Sequence, residues 1–299
     1  MNSKINNDLT IVCATHNGRY KLPGFIKSIE GNSLRPKEII ICGTSSNDLD
    51  DITEEQKNNN NIYFILSDIS NQIIQRKAAL KAVKTKYILQ LDDDLILEKE
   101  TIKNYSKHFI GPNTNTRVVS GFTIFPNGEH MSFRTSLKYH NSSLVRFYVF
   151  LINGFKKPKN MTILKSGRIF PYVFKSENNP APNWLSSCIM YNKEVAKEYF
   201  EFTENLDFEH KEKAYFEDVL FTHDLFTKGY NLFIEKKAKL IHPVTSESNL
   251  EEFLKVLFIQ KKIISKTNGS YILFIIDILA SSTYYILKKI IKFKGSKNV

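Results

Sequence analysis

Three consecutive carboxylates, Asp92, Asp93 and Asp94, close the run ILQLDDDLIL, in which a leucine-rich, β-branched segment ends in charge before apolar residues resume. Desolvating a carboxylate without a partner is prohibitively costly, so these side chains require a cation or solvent. Mg²⁺ and Mn²⁺ prefer oxygen ligands and take one or two carboxylates together with phosphate oxygens, which suits a nucleotide diphosphate. The string also serves as a solvated turn with helix-capping aspartates. A second pair, Glu217-Asp218, lies in YFEDVLF among aromatic and aliphatic neighbours. Partial burial raises a carboxylate pKa and equips it to take a proton from an attacking hydroxyl. A capping or salt-bridged pair opening a helix that ends near Lys228 fits the same string. His242, in AKLIHPV, reads as a metal ligand or, more commonly for a lone histidine after an apolar run, as a satisfied core residue. Gln75, Arg76 and Lys77 open or continue a helix, the last two placing positive charge near a sheet edge or on a solvated helix face. The chain has no Gly-rich phosphate loop, Ser-His-Asp order or metalloprotease spacing, so phosphate charge must be met by metal and side chains.

Strand-like runs precede the polar motifs of the first half. They cover Leu9 to Cys13, Glu38 to Cys42, Ile62 to Leu66 and Tyr87 to Leu91, with helical stretches over Leu22 to Glu30 and about Ile73 to Val83. This alternation predicts a parallel sheet whose ligand sits beyond the carboxyl ends of its strands. From Thr101 to about Pro180 the pattern is irregular, aromatic and basic, as expected of a substrate-facing segment. Regularity returns with Trp184 to Tyr191, a helix from Lys193 to about Tyr199, the stretch AYFEDVLFTHDLFTKGY and a strand from Asn231 to Ile234. The expected organisation is an α/β domain over 1–250, with a nucleotide-binding half (1–100) and an acceptor-binding, catalytic half (101–250), then a basic amphipathic tail (251–299).

The 299 residues, 42% of them hydrophobic, suffice for a well-buried core. Cys13, Cys42 and Cys188 show no metal-ligand spacing and leave an odd thiol, which suits a reducing cytoplasm. The opening MNSKINNDLTIV lacks the order of a signal peptide, so a cytoplasmic location is expected. The net charge of +11 is uneven: from Glu251 to Val299 nine lysines face three acids, leaving +5 for the first 250 residues. Lysines interleaved with apolar runs suit an anionic membrane surface better than nucleic acid, for which no cluster of arginines with aromatic platforms exists. Tyr271 to Leu287 is 17 residues long and interrupted by Asp277 and Ser281-Ser282-Thr283. That is short for a span of about 20 residues. Amphipathic helices on the inner face of the membrane are expected; a helix pair packing on the catalytic domain or on a second subunit is the alternative.

In order, these strings resemble the inverting GT-A glycosyltransferases called family two. TIVCATHNGR is similar to their opening strand and donor loop, and ILSDISNQIIQRKAALKAVKTKYILQLDDD to the helix with an Arg followed by the DxD strand. NWLSSCIMYNKEVAKE resembles the acceptor-side segment, FEDVLFTHDLFTKGYNLFI the Glu-Asp helix, and KAKLIHPV the strand with its terminal His. The resemblance covers roughly residues 8–245. It implies an α/β GT-A fold: a Rossmann-like, mixed and mostly parallel sheet flanked by helices, here with a C-terminal helical extension. It also implies that Thr15, Asn17 and Arg19 meet the nucleotide and that Asp68 and Arg76 contact base or diphosphate. Asp92, with Asp93 beside it, faces the nucleotide, while Asp94 binds Mn²⁺ or Mg²⁺ with His242 completing the shell. Asp218 matches the catalytic base, Glu217 supports it or binds acceptor, and Trp184 and Leu185 shape the acceptor pocket. One string departs from the pattern: where the family often has Asp-Asp-Gly-Ser, this chain reads Cys42-Gly43-Thr44-Ser45-Ser46-Asn47-Asp48, leaving Ser45 or Asp48 to stand in for the nucleobase acid.

The implied reaction is a single in-line displacement from a nucleotide-sugar donor, inverting the anomeric carbon. A membrane-bound tail makes a lipid-linked glycan of surface polysaccharide assembly the expected acceptor, and a homo-oligomer is compatible with the tail. Two other readings stand: a soluble transferase acting on protein or free sugar, and a non-catalytic nucleotide-sugar or glycan-binding protein on the same fold. The presence of both Asp94 and Asp218 opposes the last.

Overall fold

The computed structural model describes residues 8–112, 114–171, 182–186, 188–204, 216–243 and 250–295. In chain order the elements begin β1 (Leu9–Ala14), α1 (Leu22–Glu30), β2 (Glu38–Gly43), α2 (Glu54–Asn59), β3 (Ile62–Leu66), α3 (Gln72–Ala82) and β4 (Tyr87–Asp92). They continue with β5 (Ile96–Leu97), α4 (Thr101–Ser106), β6 (Arg117–Ile124), α5 (Phe133–Asn141), α6 (Ser143–Ile152), β7 (Thr162–Ile163) and β8 (Ile169–Phe170). The last are β9 (Ile189–Asn192), α7 (Lys193–Glu204), α8 (Glu217–Thr227), β10 (Asn231–Ile241), α9 (Leu250–Thr267) and α10 (Tyr271–Gly295). They form two compact units, Met1–Met131 with Ala181–Ser246 and Ser132–Pro180 with Glu247–Val299.

The first unit is built on an eight-stranded sheet of order β3-β2-β1-β4-β9-β6-β10-β5, in which β9 and β5 run antiparallel to their neighbours and the other pairings are parallel. Helices cover both faces, so β1 is buried along its whole length. Leu9, Ile11 and Cys13 pack with Phe25, Ile26 and Ile29 of α1, while Val12 points to the opposite layer with Ala79 and Leu80 of α3, Tyr199 of α7 and Phe221 of α8. The expected strands and helices of the first hundred residues are present to within about a residue at each end. β10 is longer than expected, because the charged string EKKAK continues along β6 after a shift of register between Ile234 and Lys239.

The second unit joins α5, α6 and the β7–β8 hairpin to α9 and α10. Residues 132–171 therefore group with the C-terminal helices, a grouping that the sequence pattern of 101–250 did not show. The reason is apolar packing: Val149, Ile152, Leu164 and Phe170 share a core against which Ile276 of α10 packs. Asp277, an interruption in the sequence pattern, is fully buried and is the hub of this unit. It accepts from Arg168 Nε (2.9 Å), Ser166 (3.0 Å), Gln260 (2.7 Å) and the Tyr148 hydroxyl. Among the described residues no helix is long and apolar enough to cross a membrane.

Candidate active site

Strand register brings the donor-side residues together. Parallel pairing places Ala14 beside both Cys42 and Asp92, so the next residue on β1, Thr15, emerges between the ends of β2 and β4. Thr15 donates from its backbone N–H to the Cys42 carbonyl (2.9 Å) and from Oγ1 to Asp93 Oδ2 (2.6 Å). Lys21 Nζ reaches the same carboxylate at 3.3 Å. Burial raises the pKa of Asp93, and Thr15 and Lys21 pull against that shift. From α3, Gln75 donates to the Thr15 carbonyl (2.5 Å) and the Cys42 carbonyl (3.2 Å), tying the helix to both strand ends.

A second clamp holds the same loop. Asp48, buried, accepts from the backbone N–H of Gly18 (2.8 Å) and of Ser45 (3.3 Å). Ser45 Oγ in turn accepts from the Asn47 N–H (3.2 Å), completing a capping box. Gly43 is required here, since a Cβ would lie 2.6 Å from Asp48 Oδ2 and 2.8 Å from the Phe64 ring. Asn17 takes the left-handed conformation (φ 55°), which asparagine tolerates. Of the residues expected at the nucleotide, Ser45 thus braces its own loop, while Asp48 and Asp93 brace the loop that follows β1. Arg19 is exposed and pairs with Asp51 (3.2 Å), and Asp68 is exposed after β3. His16 bridges the loops after β2 and β3, its Nδ1 3.1 Å from both Thr44 Oγ1 and Ser70 Oγ. Sequence reasoning missed His16, Lys21 and the role of Gln75. The first two stand in or beside the donor-loop string, but only the register shows what they face.

The two acid clusters are joined by one buried cation. Arg76 donates to Asp92 Oδ1 (2.8 Å) and to Glu217 Oε2 (2.5 Å), spanning 16 and 141 residues of sequence respectively. Glu217 is itself buried, with the Tyr199 phenol beside it held neutral by burial and by that carboxylate. Asp218, the next residue, is half-buried, and its pKa is pushed up to about 7 by burial first and by the charge of Glu217 second, with Arg76 opposing. Phe216, just before the pair, has φ 57°, a left-handed conformation costly for an aromatic residue and of the kind that clusters at functional sites.

Behind this helix, Thr222 accepts from the Leu185 N–H (2.8 Å) and His223 Nδ1 lies 3.0 Å from the Asn183 carbonyl. Leu185, fully buried in the core, and Trp184, nearly buried next to it, are the residues expected to shape the acceptor pocket. At the far strand, antiparallel pairing of Ile241 with Ile96 brings His242 to Asp94, with Nε2 3.5 Å from Oδ2.

A mostly parallel sheet flanked by helices, with carboxylates at its strand ends, defines the GT-A class of glycosyltransferase folds. The chain belongs to glycosyl transferase family 2, whose profile matches residues 10–200. Among solved structures it is similar to residues 1–349 of S. aureus TarS, at 17% identity and a TM-score of 0.54 over 86% of this chain and 65% of that one. The complex of the same protein with UDP-GlcNAc matches at 17% identity and a TM-score of 0.55, over 86% and 66%. The longer TarS structure matches at 18% and 0.53, over 85% and 39%. The chain therefore spans slightly under two thirds of the shorter TarS form. No curated protein matches it.

Proposed function

We propose that this glycosyltransferase moves a sugar from a nucleotide-diphosphate donor to a hydroxyl of a glycan acceptor by one in-line displacement that inverts the anomeric carbon. The observation that carries this reading is Asp218: a half-buried carboxylate with a pKa near 7, beside an arginine bridge that leads to the donor strand ends. Asp218 takes the proton of the attacking hydroxyl as the new glycosidic bond forms and the bond to the diphosphate breaks. Arg76 fixes the spacing of Asp92 and Glu217 by bonding to both carboxylates. The complex of TarS with UDP-GlcNAc makes a uridine diphosphate sugar the first donor to test.

A divalent cation fits Asp94 and His242. Both side chains are partly exposed, they face each other at 3.5 Å, and among the described residues no larger group of His, Cys, Asp and Glu forms a closed metal cage. Two such donors leave coordination positions for phosphate oxygens. Mn²⁺ or Mg²⁺ held there would neutralise charge on the departing diphosphate. A lipid-linked glycan acceptor, and contact of residues 251–299 with the inner face of the membrane, complete the proposal; the lysine-rich, apolar composition of that tail supports them. Transfer is to be measured over a panel of nucleotide sugars with and without Mn²⁺. Asp94→Ala and Asp218→Ala should each abolish it, and near-wild-type transfer by both would sink the assignment.

A further inference from the structure

We propose that the face this chain lays on an anionic lipid bilayer is made by α6 and the residues after it as much as by α10. The inference extends the membrane reading above, which assigns that contact to the C-terminal tail alone, and it rests on a segment inserted more than a hundred residues earlier.

Both helices are apolar on two sides. On α10, Phe274 and Asp277 face inward, yet Ile272, Ile275, Leu279 and Ile286 form a second stripe at spacings of three, four and seven. On α6, Val149 and Ile152 are buried while Leu144 and Phe147 point to water, and Phe155 follows them. These seven outward side chains are between 55% and 78% exposed. A solvated helix normally carries polar residues on that side, so among the described residues each stripe lacks an apolar partner. The Tyr148 hydroxyl donates to Asp277, so α6 and α10 are locked together and neither stripe can turn inward without breaking the hub.

Charge identifies the partner. Residues 132–180 and 247–299 hold 18 Lys and Arg against 5 Asp and Glu, a net +13, so the remaining residues of the chain sum to −2. The whole positive excess of the protein lies in the unit that carries the apolar stripes. Phe155 runs directly into Lys156, Lys157 and Lys159, all exposed, which is the interleaving of aromatic and basic residues that suits the headgroup boundary. A second copy of the chain would bring +13 against +13, whereas an anionic bilayer meets both the apolar side chains and the charge.

The test is flotation of the full-length chain with vesicles of phosphatidylcholine alone or mixed in equal parts with phosphatidylglycerol. The chain should float with the mixed vesicles, fail to float with the neutral ones, and be released by salt. L144E/F147E on α6 and I275E/L279E on α10 should each lower the bound fraction about tenfold or more, without shifting the melting temperature. K156E/K157E/K159E, which removes no apolar packing, should do the same and guards against a folding artefact. If L144E/F147E and the lysine variant float like wild type while I275E/L279E does not, the tail contact stands and this inference is overturned. If the wild type ignores anionic vesicles, both fall. If L144E/F147E splits a stable dimer in solution, the face belongs to a second copy and the inference is likewise overturned. Flotation involves no turnover, so the proposed reaction stands or falls separately.

Discussion

Asp218 and Asp277 are both aspartates withdrawn from water on helices, and their surroundings drive them in opposite directions. Asp218 opens α8 next to Glu217. Burial and that neighbouring charge raise its pKa to about 7, and Arg76, whose guanidinium is bonded to Asp92 and Glu217, offsets only part of the shift. Asp277, on α10, has no exposed surface, and burial pushes its pKa upward as well. Yet hydrogen bonds from Arg168, Tyr148 and Gln260 hold it below the ordinary carboxylate range. The difference lies in where the donors go. A carboxylate surrounded by donors is fixed as an anion and organises a core, while one beside a cation already engaged elsewhere stays ready to accept a proton.

The comparison breaks first at Asp218. Asp218→Asn should lower kcat about a thousandfold, the range lost with a general base, while leaving the urea midpoint unchanged or higher. If activity survives, Asp218 is merely a buried acid. Next comes Asp277→Ala, which should cost about 3 kcal/mol of unfolding free energy, as breaking a buried pair does, with the specific activity of the folded fraction preserved. A variant of full stability and no activity would reverse the roles assigned to the two aspartates. The smallest effect is the pH profile. Transfer should be half-maximal near pH 7 and fall about tenfold per unit below it, and Arg76→Met should move that acid limb upward by about a unit or more, because the cation that favours ionised Asp218 is gone.

Stability carries the opposite signs. The raised pKa of Asp218 means that the native state holds its proton longer than the unfolded chain does, so this group's contribution is lost as pH rises from about 4 to 7. The lowered pKa of Asp277 contributes stability above its ordinary value, lost as pH falls through the folded one. Asp218→Asn should therefore flatten the first limb of a stability profile and leave the second.

Sequence alone placed the strands that end at Ala14, Gly43, Leu66 and Asp92 to within about a residue, because the three inner strands, buried on both faces, read as continuous apolar runs and the edge strand β3 is β-branched and aromatic. The carboxylates at their ends were equally visible. Pairings between distant segments were not: nothing local to Arg76 names Glu217, and nothing local to Asp277 names Arg168. Asp277 was taken for a break in an apolar stretch because one helix, read alone, does not show a partner 109 residues upstream. The grouping of 132–171 with the C-terminal helices was hidden for the same reason, since an apolar face on Val149 and Ile152 does not name Ile276 as the residue that packs against their cluster.

The two clamps on the loop from Thr15 to Lys21 bear on the heat of donor binding. Asp93 holds its ends and Asp48 its middle before any nucleotide arrives. A nucleotide therefore meets backbone whose entropy was already given up during folding, and little of the contact energy is consumed in ordering it. Asp48→Ala should then leave the enthalpy of donor binding nearly intact while making its entropy less favourable, a signature that calorimetry separates from the loss of a direct contact.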